Sequence, residues 1–144
     1  MSHTRRRKTR TVRIGGVAIG SGFPVAIQSM TKAKTADVAA TVAQIRRLQQ
    51  CGCEIVRCAV KDEADARAIA AIKQQVSLPL VADIHFNWKL AVAAVDAGAD
   101  KIRLNPGNIF RQREVAAVVS ACRNAGIPIR VGLNSGSVGG SGLI

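Results

Sequence analysis

The sequence predicts an α/β fold built on a parallel sheet, and three observations carry that prediction. Short apolar runs rich in Val and Ile alternate with segments of helical periodicity, the alternation repeats four times before a last apolar run, and glycines fall where the helical segments must stop. The centres of the later runs, near residues 56, 81, 103 and 130, lie roughly 22 to 27 residues apart, about one strand and one crossover helix each. The first strand is followed by Ser29-Met30-Thr31-Lys32 and not by a GxGxxG fingerprint, which disfavours a dinucleotide-binding sheet and favours a (β/α) barrel of TIM type. A complete eight-unit barrel needs about 250 residues. At 144 residues the chain is expected to form part of one, with about five strands and four helices.

The elements follow in order. Residues 1–10 form a basic arm. Thr11–Ile19 alternates around Gly15-Gly16 and predicts a small hairpin that caps the barrel floor. Strands are expected at Pro24–Ser29, Glu54–Val60, Leu78–Ile84, Lys101–Leu104 and Ile127–Leu133, each apolar enough to be buried on both faces. Between them Val38, Val42, Ile45 and Leu48, then Ile69, Ile72 and Val76, then Trp88, Val92 and Val95, then Val115, Val118 and Cys122 recur at helical spacing. Gly52, Gly98 and Gly126 sit at the helix-to-strand junctions. The barrel portion spans 11–137, and 138–144 is a Gly-rich tail that does not continue the pattern.

Charge narrows the partners. The formal net charge is +12, with Arg5, Arg6, Arg7, Lys8, Arg10 and Arg13 concentrated in one stretch. A moderately basic body suits an anionic ligand. Three Phe, one Trp and no Tyr give little of the stacking surface a nucleic-acid module uses, and no long apolar run suits a membrane span or a signal peptide, so a cytoplasmic chain with neither nucleic-acid nor membrane partner is expected. Cys51, Cys53, Cys58 and Cys122 match no metal-binding spacing and read as apolar fillers or loop residues.

Barrel chemistry sits at the carboxyl ends of the strands. There the sequence places Gln28-Ser29-Met30-Thr31, Arg57, Asp83-Ile84-His85, Arg103-Leu104-Asn105-Pro106-Gly107-Asn108, and Arg130 followed by Asn134-Ser135-Gly136-Ser137. Period-two alternation sets Arg103 with Asn105 and Asp83 with His85 on common faces. Three arginines inside apolar strands each require an anion, and a planar guanidinium suits phosphate oxygens. The competing account is that Asp83 or Glu54 neutralises them internally.

These strand-end motifs, with Arg6-Arg7-Lys8-Thr9-Arg10 and Glu54-Ile55-Val56-Arg57, resemble in their order the 4-hydroxy-3-methylbut-2-enyl diphosphate synthases of the non-mevalonate isoprenoid pathway. The resemblance covers about residues 5 to 137 and implies reductive dehydroxylation of 2-C-methyl-D-erythritol 2,4-cyclodiphosphate, with flavodoxin or ferredoxin as electron donor. It further implies a [4Fe–4S] cluster in a C-terminal domain and a homodimer at full length. Arg57, Arg103 and Arg130, with Asn134 and Asn105, match positions that hold the diphosphate, and Asp83 and His85 are the candidate catalytic pair at the same mouth. Nothing here matches the later strands or the cluster domain. The 144-residue polypeptide is therefore expected to carry no cluster and to be inactive alone. Two other readings remain: a basic nucleic-acid-binding module, and another phosphate-binding barrel enzyme.

Overall fold

A computed structural model describes residues 7–133. The hairpin is β1 (Val12–Ile14) and β2 (Val17–Ile19), antiparallel about Gly15-Gly16. The strand–helix units follow: β3 (Gln28–Met30), α1 (Val38–Gln50), β4 (Ile55–Val60), α2 (Glu63–Lys73), β5 (Leu80–Ile84), α3 (Trp88–Asp96), β6 (Lys101–Leu104), α4 (Gln112–Ala125) and β7 (Ile129–Val131).

The five strands β3 to β7 are parallel and lie in the sheet in chain order. A doubly wound sheet reverses its strand order at a switch point, and this one never does. One face carries Val56, Cys58 and Val60 of β4, Leu80, Ala82 and Ile84 of β5, and Ile102 and Leu104 of β6; these pack with Ile45, Ile69, Ile72, Leu90, Ala91, Val118 and other helix residues in one core. The opposite, inner face meets the hairpin instead, where Ile14 packs with Ile55 and Val81. Helices on one side and a floor plug on the other are the layering of a barrel wall, as the sequence predicts.

Three helix starts are fixed by side chains that accept a backbone N–H of the first turn: Asp37 from Ala40, Asp62 from Asp65 and Asn87 from Lys89. Helix α4 has no such cap and ends in Gly126, whose φ of 69° turns the chain toward β7 without a Cβ clash. The stripe of α3 is Leu90, Ala91, Ala94 and Val95, with Val92 only half-buried, because this short helix lays its small residues on the sheet.

The first and last strands are shorter than expected. Residues 24–27 are not strand: Pro24 has no N–H to give, and pairing with β4 begins only where the Ile27 carbonyl accepts from Glu54 and Ile55. At the other edge β7 spans Ile129–Val131, and Val131 is exposed on the face that elsewhere meets a helix. Buried on both faces holds for β5 alone, whose five residues are all buried. The predicted positions 1–6, Asn134 to Ser137 and the tail at 138–144 lie outside the described residues. Among the described residues no helix is long and apolar enough to cross a membrane.

The packing separates the four thiols. Cys53, Cys58 and Cys122 are buried, Cys51 is exposed at the end of α1, and burial pushes the Cys122 thiol up to about 11 and the Cys58 thiol in the same direction. Because the thiolate is the reactive form, a thiol probe at neutral pH should label Cys51 rapidly and spare Cys58 and Cys122 until the chain is unfolded. Labelling followed by peptide mass spectrometry checks this; rapid native labelling of Cys122 would contradict the packing.

Candidate functional site

The inner face is built by alternation. Residues that alternate with the apolar outer row fall into levels set by the strand register, one of them joining Met30, Arg57, Val81 and Lys101 and the next joining Ala59, Asp83, Arg103 and Arg130. The carboxyl ends of the strands, and the loops that follow them, form the mouth above these levels.

Asp83 is the centre of the arrangement. It is 3% exposed, and its two carboxylate oxygens take different partners: Oδ1 accepts from Nη1 of Arg103 at 3.0 Å, and Oδ2 lies 3.4 Å from Nε of Arg57. Arg103 also donates through Nη2 to the Gly132 carbonyl at 3.1 Å. Arg57 points Nε and Nη2 at the Met30 sulfur, at 3.3 and 3.2 Å. The internal-neutralisation account is therefore half right. One carboxylate serves two guanidinium groups, while Glu54 takes no arginine among the described residues and accepts instead from the backbone N–H of Ile27.

Arg130 is level with Arg103 in the register but does not join it at Asp83. It is exposed, lies next to Gly132, and lines a cavity between the inner face and the hairpin together with Lys101. Lys101 is 8% exposed, and burial first, then the positive charge of Arg130, lowers its ammonium below the ordinary lysine range. The structure thus brings two of the three predicted arginines to one carboxylate and directs the third toward a different cavity.

Asn105 is buried above Arg103. Its Oδ1 accepts from Gly107 N at 3.0 Å and its carbonyl receives the N–H groups of Asn108 and Ile109, so it organises the predicted turn. Asn108 donates to the His85 carbonyl at 2.7 Å, tying that turn to the loop after β5. His85 is half-buried, stands edge-on to the exposed Phe86 ring at 6.1 Å, and lines a cleft of about 480 Å³ with Met30, Thr31, Lys61 and residues of the loop after β3. It faces this cleft from the same strand end as Asp83.

The mouth loops are held by residues that sequence reasoning passed over. Asp65, in the first turn of α2 and 2% exposed, accepts from Ala36 N at 2.8 Å with one oxygen and from Lys61 N at 3.1 Å with the other. Thr35 donates to the Ala59 carbonyl at 2.6 Å, and Gln44 Oε1 accepts from Lys32 N and Ala33 N. Lys101 was also missed, although its place two residues before Arg103 puts it on the same face. For Asp65 the only sequence signal was an acid in the first turn of a helix, which reads equally well as a dipole partner.

The thiols do not fit a [4Fe–4S] cluster. Cys53, Cys58 and Cys122 are packed in the helix-side core and Cys51 is on the surface, and among the described residues no group of three or more His, Cys, Asp or Glu is placed to hold a metal ion.

Fold and inner row together define a (β/α)-barrel protein with a cationic interior. Residues 9–142 match the family model of the GcpE TIM-barrel domain, and the chain belongs to that family. It is 58% identical over 135 residues to a 4-hydroxy-3-methylbut-2-en-1-yl diphosphate synthase (flavodoxin) of Bacillus pumilus, covering 94% of this chain and 36% of that protein. It is 56% identical over the same length to the protein of that name from Bacillus mycoides, covering 37% of it. The chain thus spans little more than a third of the length of these relatives. A mandelate oxidase crystal structure superposes over 94% of the chain and 65% of its own, with a TM-score of 0.60 at 15% identity, a likeness of fold alone.

Removing the shared carboxylate tests the description. Asp83→Asn leaves two guanidinium groups without their counter-charge and is expected to destabilise the fold by roughly 2–4 kcal/mol. Urea unfolding measures this; an unchanged midpoint would mean that the pairing is dispensable.

Proposed function

We propose that this chain supplies the cationic wall of the diphosphate site in a 4-hydroxy-3-methylbut-2-enyl diphosphate synthase acting on 2-C-methyl-D-erythritol 2,4-cyclodiphosphate. The observation that carries the reading is the pair Arg57 and Arg103 held on the single carboxylate of Asp83 at the barrel mouth. Two guanidinium groups against one carboxylate leave one positive charge, in a partly dry setting where it is worth more than in water. A diphosphate meets that surplus with charge-assisted hydrogen bonds, and Asp83 keeps both guanidinium groups in place before the ligand arrives.

Asp83 is then a positioning residue for the two arginines. His85 faces the neighbouring cleft, beside the loops fixed by Asp65 and Thr35, and is the group placed to exchange a proton with a ligand seated there. Asn105 shapes the turn that borders the site, and Asn134 and Arg130 complete the grip we assign from the family resemblance. Flavodoxin, named for the relatives, is the proposed electron donor, with ferredoxin as its substitute, and the full-length protein is proposed to be a homodimer in the cytoplasm. The described cysteines do not fit the cluster, and the proposed site uses none of them.

The test is binding of the cyclodiphosphate by titration calorimetry. A charge-assisted hydrogen bond contributes about 1.5–3 kcal/mol, so Arg103→Gln and Arg57→Gln should each weaken binding by roughly 10- to 100-fold, with circular dichroism unchanged. Equal affinity of the variants and the parent chain would end the proposal. In an anaerobic assay with reduced flavodoxin the 144-residue polypeptide is expected to give no product; turnover by this chain would refute the assignment of a binding role alone.

A further inference from the structure

The end of β3 makes a contact that the diphosphate reading leaves unexplained. Met30 and Arg57 are register partners on neighbouring strands, and alternation turns both side chains to the inner face. The backbone is pinned beside them, since the buried Thr31 donates its N–H to the Arg57 carbonyl at 2.9 Å. The Met30 sulfur is thereby set in front of the guanidinium, and Nε and Nη2 of Arg57 donate to it at 3.3 and 3.2 Å. Nε is also the atom that lies 3.4 Å from Asp83 Oδ2.

A thioether is a weak acceptor, so this contact aims the guanidinium without holding it firmly. An incoming anion can take over the same N–H groups at little cost. Oxidation reverses that balance, because a sulfoxide oxygen is polar and a far stronger acceptor. The sulfur is within reach of a small oxidant: Met30 is half-buried and lines the cleft of about 480 Å³ that His85 shares. It belongs to neither apolar core, so an added oxygen alters the contact with Arg57 and not the packing of the sheet.

We propose that Met30 is a redox-sensitive positioning residue for Arg57, which aims the guanidinium as a thioether and captures it as a sulfoxide. Hydrogen peroxide supplies the change. One peroxide oxygen is transferred to sulfur, the O–O bond breaks as the S–O bond forms, sulfur is oxidised by two electrons and peroxide is reduced to water. Methionine sulfoxide reductase restores the thioether. The effect on a ligand rests on the reading of the mouth as a diphosphate site, where a captured Arg57 no longer donates to the phosphate oxygens.

The full 144-residue chain is treated with hydrogen peroxide, thiol oxidation is reversed with dithiothreitol, and Met30 sulfoxide is quantified by peptide mass spectrometry, Met1 being the only other methionine. Proton exchange of the Arg57 Nε–H with water, followed by NMR and assigned through Arg57→Gln, reads the contact without any ligand. Met30 should oxidise in the folded chain with circular dichroism unchanged, and the Arg57 Nε–H should exchange at least several-fold more slowly. Affinity for the cyclodiphosphate should fall by about tenfold, the loss of one charge-assisted hydrogen bond. The reductase should reverse both effects, and peroxide should produce neither in Met30→Leu. The proposal is overturned if Met30 oxidises only on unfolding, if its oxidation unfolds the chain, if Arg57 exchange is unmoved, or if a chain that binds the ligand binds it equally well after oxidation. Should the untreated chain bind no cyclodiphosphate while oxidation still slows Arg57 exchange, the diphosphate reading fails and the Met30 contact stands.

Discussion

The buried carboxylate of Asp83 sets the terms for the inner face of the barrel wall. Strand β5 is the middle strand of the five, and its Asp83 meets Arg57 from β4 on one side and Arg103 from β6 on the other. An isolated charge at this depth would be expelled or neutralised, and so would either arginine; together the three tolerate burial because each supplies what the others lack. The geometry depends on register. Asp83 pairs directly with Arg103, while Arg57 sits opposite Val81, one inward position lower, and its longer side chain spans the difference. A one-residue slip of any of these strands would turn the charged group into the helix-side core, which makes the triad a check on sheet alignment as well as a feature of the mouth.

Much of this was legible in the chain. Period-two alternation inside β4, β5 and β6 told which residues share a face, and the helical spacing of Val42, Ile45, Ile69, Ile72, Val118 and Cys122 told what covers the other. Strand ends were less legible because apolar content persists beyond the hydrogen-bonded ladder: Val25 and Ile27 are as strand-like as any residue, yet both are exposed and lie outside the strand, Ile27 giving only its carbonyl to the start of the ladder. The site divided in the same way. That Arg57, Arg103 and Arg130 lie on one face follows from alternation, but the directions of long side chains do not. Arg103 and Arg130 are paired in the register and diverge, one toward Asp83 and the Gly132 carbonyl, the other toward Lys101.

Membership in the GcpE barrel family and the shared fold with mandelate oxidase carry different weight. The fold serves many chemistries, and a superposition at 15% identity says only that the same layering has been reused. The proposed phosphorylated ligand is argued from the basic inner row, and that row occupies a sheet whose outer core would be satisfied by many sequences.

Asp65 joins two loops that belong to different strand–helix units, one oxygen on Ala36 and the other on Lys61. Because both bonds end on one rigid carboxylate rooted in the first turn of a helix, the segments after β3 and β4 are mechanically a single body. Neither can swing outward without stripping the buried carboxylate of a donor, so that rim of the barrel behaves as a stiff lip beside the cleft that His85 lines.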